Sequence, residues 1–324
     1  MKRFRPGGVG WFIFRRLLLG IVVLILVSVL VFLATQALPG DPARAILGRT
    51  ATPASLAALR RQLHLDQPVI SQYWTWVTGL LHGNLGRSLA AQEPVSTLIG
   101  PRLVNSAVLV ALAAVVSIPL SIAIGSWAAF RREKVFDVAS SNLLLVLAAL
   151  PEFVVGVLLV ILLATTVSHV LPSISLVPPG SHPWDNWSAL VLPTLTLVIA
   201  VAPYVARIMR ASMIEVLESD YVEMARLKGL PERTVLVRHA LPNALGPVFQ
   251  VIALNLAYLA GGIIIVESVF QYTGIGLAIQ ESVVNHDLPV IQALTMLIAA
   301  VYVALNLLAD VATIMVTPRL RTRL

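Results

Sequence analysis

The chain has 324 residues, of which 58% are hydrophobic and 12% charged, with a mean hydropathy of +0.88 and a formal net charge of +7. A water-soluble domain carries about twice that charged fraction, so a soluble globular fold is excluded and a polytopic membrane protein is expected. There is no cysteine, which excludes disulfides and thiol chemistry.

Six apolar stretches are long enough to cross a bilayer: residues 17–37, 107–130, 138–167, 189–208, 245–268 and 289–316. The expected fold is all-α, with six transmembrane helices and a small helical insertion between the first and the second. Pro119, Pro151, Pro193, Pro203 and Pro247 lie inside or beside these stretches, where backbone groups freed by a proline can find partners within a bundle. The first stretch follows a basic start, as a signal peptide does. Its apolar run of about 20 residues exceeds the usual signal core, and no small-x-small cleavage site follows. It is read as a span.

Lys and Arg set the orientation. They cluster at the N-terminus (Lys2, Arg3, Arg5, Arg15, Arg16), in the second loop (Arg131, Arg132, Lys134), in the fourth (Arg207, Arg210, Arg226, Lys228, Arg233, Arg238) and at the C-terminus (Arg319, Arg321, Arg323). The third and fifth loops carry none. Both termini are therefore expected in the cytoplasm. The positive charge is topological and gives no support to nucleic-acid binding. The first loop holds six arginines, but at about 60 residues it escapes the rule and is expected outside. The chain thus divides into 1–38, an extracytoplasmic insertion 39–103, and a core 104–324.

Within the insertion, Leu38-Pro-Gly-Asp-Pro42 reads as a turn and Thr52-Pro53 as the N-cap and first residue of a helix bearing Leu56, Leu59 and Leu63. After Asp66-Gln-Pro68 a second helix is expected. Val69, Tyr73, Trp76, Val77, Leu80 and Leu81 fall on one face of it, and it ends at Gly83. That face packs on the membrane surface or receives a soluble ligand.

The six histidines lack metal-ligand spacing, and neither a Walker A sequence nor G-x-S-x-G occurs. No catalytic residue, metal or resident cofactor is expected. The cytoplasmic loops are too short for an ATPase domain, so energy for active transport would come from a partner or an ion gradient. Intramembrane ionisable groups are functional candidates by default. Glu152 follows Pro151 within the third stretch and is the strongest candidate for a group facing a polar cavity. Glu267 lies near the outer end of the fifth stretch, within reach of headgroups, and Asp310 near the inner end of the sixth, where a loop arginine can pair with it. Asp137 stands at an entrance. Glu152, Asn255 and Glu267 are the expected substrate-pathway residues. Asn142 and Gln292 are further polar groups expected to face protein, and Gly261-Gly262 permits close helix approach.

Between two apolar stretches lies the polar segment Ser219-Asp-Tyr-Val-Glu-Met-Ala-Arg-Leu-Lys-Gly-Leu-Pro231. Asp220 can cap a helix, with Glu223 three residues on as in a capping box. Gly229 suits a left-handed C′ position and Pro231 a stop or the first residue of a new helix. The expectation is a helix of about two turns over 221–228, too short to stand alone and therefore held by a partner.

Glu223-Met-Ala225, then Gly229, then His239-Ala-Leu-Pro242 resembles the pattern E-A-A-x₃-G-x₉-I-x-L-P of the cytoplasmic loop (here 209–243) of ABC importer permeases. Met224 replaces an alanine and His239 an isoleucine. Leu38-Pro-Gly-Asp-Pro42, Leu65-Asp-Gln-Pro68, Gly83-Asn-Leu-Gly-Arg-Ser88, Gly229-Leu-Pro-Glu-Arg233, Arg238-His-Ala-Leu-Pro-Asn-Ala244, Val266-Glu-Ser-Val-Phe270 and Asn306-Leu-Leu-Ala-Asp310 resemble the B-type permease of the dipeptide, oligopeptide and nickel importers. Thr273 stands where that family usually has a proline, and Glu152 where it more often has a small or neutral polar residue.

The resemblance implies a bacterial inner-membrane subunit importing peptides. Nickel or glutathione-type cargo is the alternative in the same family. It implies a homologous C-type permease, two ATP-binding subunits that hold the ATP and magnesium, and an extracytoplasmic substrate-binding protein. Asp220, Tyr221, Glu223, Met224, Ala225, Lys228 and Gly229 would couple the chain to an ATPase, with the short helix in a groove on it and small Ala225 allowing close approach. A self-contained ion-coupled transporter with Glu152 or Glu267 as proton site is the competing reading. A nucleotide-binding partner separates the two.

Overall fold

A computed structural model describes residues 9–37, 43, 47, 52–62 and 66–316. The turn at 38–42, Leu63, His64, Leu65, the side chain of Leu59 and the terminal basic residues Lys2, Arg3, Arg5, Arg319, Arg321 and Arg323 lie outside that description. The described residues are helical, without named strands: α1 (Val9–Ala37), α2 (Pro53–Gln62), α3 (Val69–Leu81), α4 (Val95–Phe130), α5 (Val135–Ala149), α6 (Glu152–Val160), α7 (Trp187–Leu217), α8 (Asp220–Leu227), α9 (Leu241–Phe270), α10 (Ile275–Val284) and α11 (Leu288–Val316). Four helices, α1, α4, α7 and α11, are long and apolar enough to cross a membrane unbroken. Two bent pairs bring the number to six if each pair is one crossing.

One of those pairs corrects the sequence reading. The stretch 138–167 is not one straight span: α5 and α6 meet at 103° across Leu150-Pro151. Proline has no N–H and forces the residue before it out of the helical region. Leu150 is accordingly extended (φ −84°, ψ 130°), and a new helix starts with Pro151 as its N-cap. α6 then widens into a π-turn over Ile161–Thr165.

The chain forms two compact units. The first comprises 1–17, 107–272 and 302–324. Its centre is α7, with about two-thirds of its apolar stretch buried. Val201, Val205, Met209 and Met213 recur at helical spacing and pack with Val248, Ile252, Leu259 and Ile263 of α9 in one core. α5 and α6 pack on α7 as well. Two devices hold neighbours close. On α4, a Cβ at Gly125 would lie 2.7 Å from Met209 Cβ and on top of the Ala206 carbonyl, so only glycine admits this approach. One turn away Ser121 Oγ donates to the Ser117 carbonyl of its own helix at 2.6 Å and shares that hydrogen with the Ala202 carbonyl at 3.2 Å. The second device is a fork: Arg210 of α7 donates to both oxygens of Asp137 in the first turn of α5, at 2.5 and 2.7 Å, and the Glu133 N–H donates to the same carboxylate at 2.9 Å. Asp310 pairs with Arg16 of α1 at 2.9 Å, a helix residue rather than a loop arginine.

The second unit comprises 18–106 and 273–301. Thr52 caps α2 as expected: its Oγ1 accepts from the Ser55 N–H, and Ser55 Oγ accepts from the Thr52 N–H. On α3, Tyr73 and Trp76 sit against Phe32 of α1, with ring centroids 5.4 and 5.9 Å apart, and the Tyr73 hydroxyl meets Ser28 Oγ at 2.9 Å. This aromatic face packs on the chain's own first helix. Val69 and Leu81, expected on the same face, are exposed; they are the first and last residues of α3. Asp287 explains the run 83–88: its carboxylate accepts from the Leu89 and Ala90 N–H groups and from Ser88 Oγ, pinning a loop turned by Gly86 at φ +85°. Asn105 Nδ2 donates to the Thr273 carbonyl, and Ser106 Oγ accepts from the Ile275 N–H, so the Thr273 segment is held without the proline.

Gly125→Val is expected to destabilise the first unit by about 1–3 kcal/mol, the usual cost of overpacking. Gly246→Ala, where a Cβ meets no atom within 4 Å, is the matched control. Thermal unfolding of the purified protein in detergent checks this, and equal midpoints for the two variants would refute the close approach.

Candidate functional site: the α8 loop and the Glu152 cavity

The polar segment folds as a short helix closed at its C-terminal end. Its boundaries shift by one residue: α8 spans Asp220–Leu227, with Ser219 as N-cap and Lys228 as C-cap. No capping box forms. Asp220 is already the first helical residue, and Ser219 Oγ donates back to the Val216 carbonyl at 2.5 Å instead of accepting from the helix. The acidic Asp220 and Glu223 still lie in the first turn, where the helix dipole favours them. At the other end Gly229 has φ +75°. The Gly229 N–H donates to the Arg226 carbonyl at 2.9 Å and the Leu230 N–H to the Ala225 carbonyl at 3.4 Å, the paired bonds of a Schellman motif. Arg226 forks onto Glu232 at 2.8 and 3.3 Å and ties the helix to the following turn.

One face of α8 is spent on the chain itself. Val222 and Ala225 are buried against Val235, with Val216 and Leu217 beside them. The close approach that Ala225 permits is thus to Val235 of its own chain. The other face is open: Tyr221, Met224 and Leu227 are exposed at three-residue spacing, Leu227 by 74%, and Asp220, Glu223 and Lys228 are exposed with them. After the turn the chain runs through a π-segment, Val235–Ala240, into α9. Pro242 has no N–H to return to that turn, and Asn243 Nδ2 satisfies the His239 carbonyl at 2.7 Å.

The second feature is a cavity of about 860 Å³ in the first unit, beside the Leu150-Pro151 break. Glu152, Asn255, Tyr204, Tyr258, Gly262 and Tyr302 are among its walls. Glu152 is 8% exposed, and neither carboxyl oxygen has a hydrogen-bond partner among the described residues. The Tyr258 hydroxyl is within electrostatic reach of it. Gly262 makes the space: a Cβ there would lie 2.8 Å from both Glu152 oxygens. Asn255 Nδ2 is held by the Val251 carbonyl at 2.8 Å. A neighbouring cavity of about 710 Å³ shares Tyr204, Leu254 and Asn255 and adds Asn142, Arg207 and Arg210. Of the expected pathway residues, the structure brings Glu152 and Asn255 together. Glu267 does not join them; it is fully buried near the end of α9 and engaged there, so it does not reach out to headgroups. Sequence reasoning passed over Tyr204, Tyr258, Tyr302 and Arg207, which line these cavities. Their signal was polar or aromatic tips recurring on apolar helices.

Residues 121–322 match the family described as the binding-protein-dependent transport system inner membrane component, and residues 10–109 match its N-terminal component. The chain belongs to this family. Among curated relatives of this permease, a probable peptide ABC transporter permease protein of Sinorhizobium fredii is 36% identical over 96% of this chain and 99% of its own length. A glutathione transport system permease protein of Salmonella choleraesuis is 36% identical over 96% and 98%. The permease is thus a multi-pass all-α membrane protein of the ABC importer class, as its loop motif implied.

At Gly229 the constraint is backbone conformation alone, since a Cβ there meets no atom within 4 Å. A residue with a Cβ pays about 1–2 kcal/mol at positive φ, and asparagine pays least. Gly229→Val is therefore expected to raise the rate of tryptic cleavage after Lys228 and Arg233 about 5–30-fold, with Gly229→Asn near wild type. Equal cleavage of the two variants would refute the left-handed constraint.

Proposed function

We propose that the chain is the permease subunit of an ATP-driven peptide importer in a bacterial inner membrane, with both termini cytoplasmic. It forms one half of the translocation pathway and performs no catalysis itself. A homologous C-type permease supplies the other half, two ATP-binding subunits bind and hydrolyse magnesium ATP, and an extracytoplasmic binding protein delivers the solute. Residues 39–103 form the extracytoplasmic insertion and 209–243 the cytoplasmic coupling loop of the core 104–324.

The observation that carries this is α8. It is short, closed by a Schellman turn and seated on its own chain by Val222 and Ala225, yet it leaves Tyr221, Met224 and Leu227 bare. Apolar side chains on a polar loop are suited to a groove on another protein. In this reading Tyr221, Met224 and Leu227 fill the groove, Asp220, Glu223 and Lys228 contact its rim, and Ala225 and Gly229 keep the helix in the shape that fits. Closure of the ATP-binding subunits then moves α8 as a rigid body, and the bundle alternates between two states. The wall built by Tyr204, Tyr258 and Tyr302, each about half exposed, suits a pathway completed by a second chain.

Peptide cargo is supported by the relatives' names and by the cavity chemistry. Glu152 stands in one cavity and Arg207 in the next, signs that suit the amino and carboxyl ends of a short peptide. Glutathione is a peptide of the same class.

Purification of the chain from its native membrane is expected to bring two ATP-binding subunits, a second permease and a binding protein. Leu227→Asp is expected to insert normally, to lose the ATP-binding subunits on purification, and to cut ATP-dependent peptide uptake about tenfold or more, since desolvating a charge in an apolar groove costs several kcal/mol. Retention of the ATP-binding subunits together with full uptake would refute the role of this face. A chain that transports while purifying alone would refute the ATP-driven reading.

A further inference from the structure

We propose that the Glu152 carboxyl group is a recognition point for an ammonium group of the transported solute, whether a peptide amino terminus or a lysine-type side chain. The proposal deepens the importer reading: that reading supplies what enters the cavity, while the cavity's own chemistry supplies the preference for a cation.

Glu152 is more than nine-tenths buried, and both of its oxygens lack a hydrogen-bond partner among the described residues. A buried carboxyl without a partner is costly, and structures retain such groups where something else completes them. The neighbouring Tyr258 hydroxyl comes within electrostatic reach of the carboxyl without completing a hydrogen bond to it, which leaves both oxygens open to an incoming group. Gly262 faces both oxygens with no side chain, and Asn255 spends an amide hydrogen on the Val251 carbonyl. Aromatic side chains form part of the remaining wall, with Phe153, Tyr204, Tyr258 and Tyr302 lining the same cavity beside Leu254 and Ile265. A carboxyl among aromatic rings favours a cation, which gains from the charge and from the ring faces. The volume of about 860 Å³ falls in the range that holds a small organic ligand. A divalent metal is not favoured, because no cluster of three His, Cys, Asp or Glu side chains exists among the described residues.

The other charged groups of the first unit are spoken for or stand elsewhere. Arg210 is forked onto Asp137, and Arg16 and Arg132 each make a single contact, with Asp310 and Glu218. Arg207 lines the neighbouring cavity rather than this one.

The test uses the complete transporter, purified with its partner subunits in lipid nanodiscs. Glu152 is labelled with dicyclohexylcarbodiimide, which reacts with carboxyl groups in apolar sites, and the adduct is followed by peptide mass spectrometry. Three probes compete: trialanine, N-acetyl-trialanine and n-butylammonium. Trialanine and n-butylammonium are each expected to slow labelling about tenfold or more when present well above their dissociation constants, and N-acetyl-trialanine to leave the rate unchanged. Protection by n-butylammonium without trialanine keeps the ammonium site and removes the peptide cargo. Equal protection by the acetylated peptide overturns the proposal, as does no protection by any probe, the result expected if a basic residue of the second permease already pairs with Glu152. In membrane vesicles that accumulate trialanine, Glu152→Gln is expected to bring its uptake down to that of N-acetyl-trialanine. An unchanged preference for the free amine overturns the assignment.

Discussion

The first unit depends on how closely helices can approach α7. Inside a bilayer, burying apolar side chains against one another gains little over leaving them in lipid, so helix association relies on close packing and on polar contacts. α7 supplies both. Its valines and methionines at helical spacing pack with α9 in one core. Gly125 brings the α4 backbone to the level of Ala206 and Met209, and Ser121 uses that proximity to reach the Ala202 carbonyl. Arg210 clasps the start of α5 through Asp137. Taking two charges out of water is costly, and the fork repays it through paired geometry and the added Glu133 N–H. Loss of Arg210 would leave the buried Asp137 charge without its cation, so this pair fixes how α5 meets α7 more than it adds stability.

That dependence extends into the loop. Only Glu218 and Ser219 separate the end of α7 from the start of α8, and α8 is seated by Val222 and Ala225 on Val235, Val216 and Leu217. Residues from both ends of the loop thus share one small core. Arg132 reaches Glu218 from the turn before α5, adding a third tether at the loop's base. A push on the exposed face of α8 therefore acts on α7 and, through Val235, on the segment that leads into α9, rather than being absorbed by a slack connection. A rigid α8 is what a lever between two alternating states requires.

Much of this was legible because hydropathy, capping residues and short motifs act locally. The long apolar stretches became helices, Thr52 capped α2, and Gly229 took the left-handed conformation that its place after the helix required. The misreadings came from tertiary choices. The capping box at Asp220 failed because Ser219 sits one residue earlier and turns its hydroxyl back to Val216. The stretch 138–167 looked continuous because every residue around Pro151 is apolar, and hydropathy is blind to a 103° bend. The aromatic stripe on α3 was periodic, but periodicity could not say that Phe32 of α1 would cover it. Ala225 belonged to a motif whose resemblance suggested an outward face, whereas its burial comes from Val235, ten residues on and unmarked by any pattern.

Three acidic residues on these helices show how one chemical group is put to different uses. Asp137 is met by a guanidinium fork, and Glu267 is fully buried and engaged within the protein. Glu152 alone of the three has neither carboxyl oxygen hydrogen-bonded among the described residues. The reason lies in the backbone. An irregular peptide unit at membrane depth is tolerated where it lines a cavity rather than facing lipid, and the Leu150-Pro151 break does so. Restarting the helix after Pro151 places Glu152 in the first turn of α6, where the dipole favours negative charge. The glycine opposite it leaves space beside the carboxyl, which the Tyr258 hydroxyl approaches without completing a hydrogen bond. A helix carried straight through 150–151 would have neither that cavity nor that first turn. The proline that breaks the span and the carboxyl that follows it are therefore one feature: the first opens the site and the second gives it a preference for positive charge.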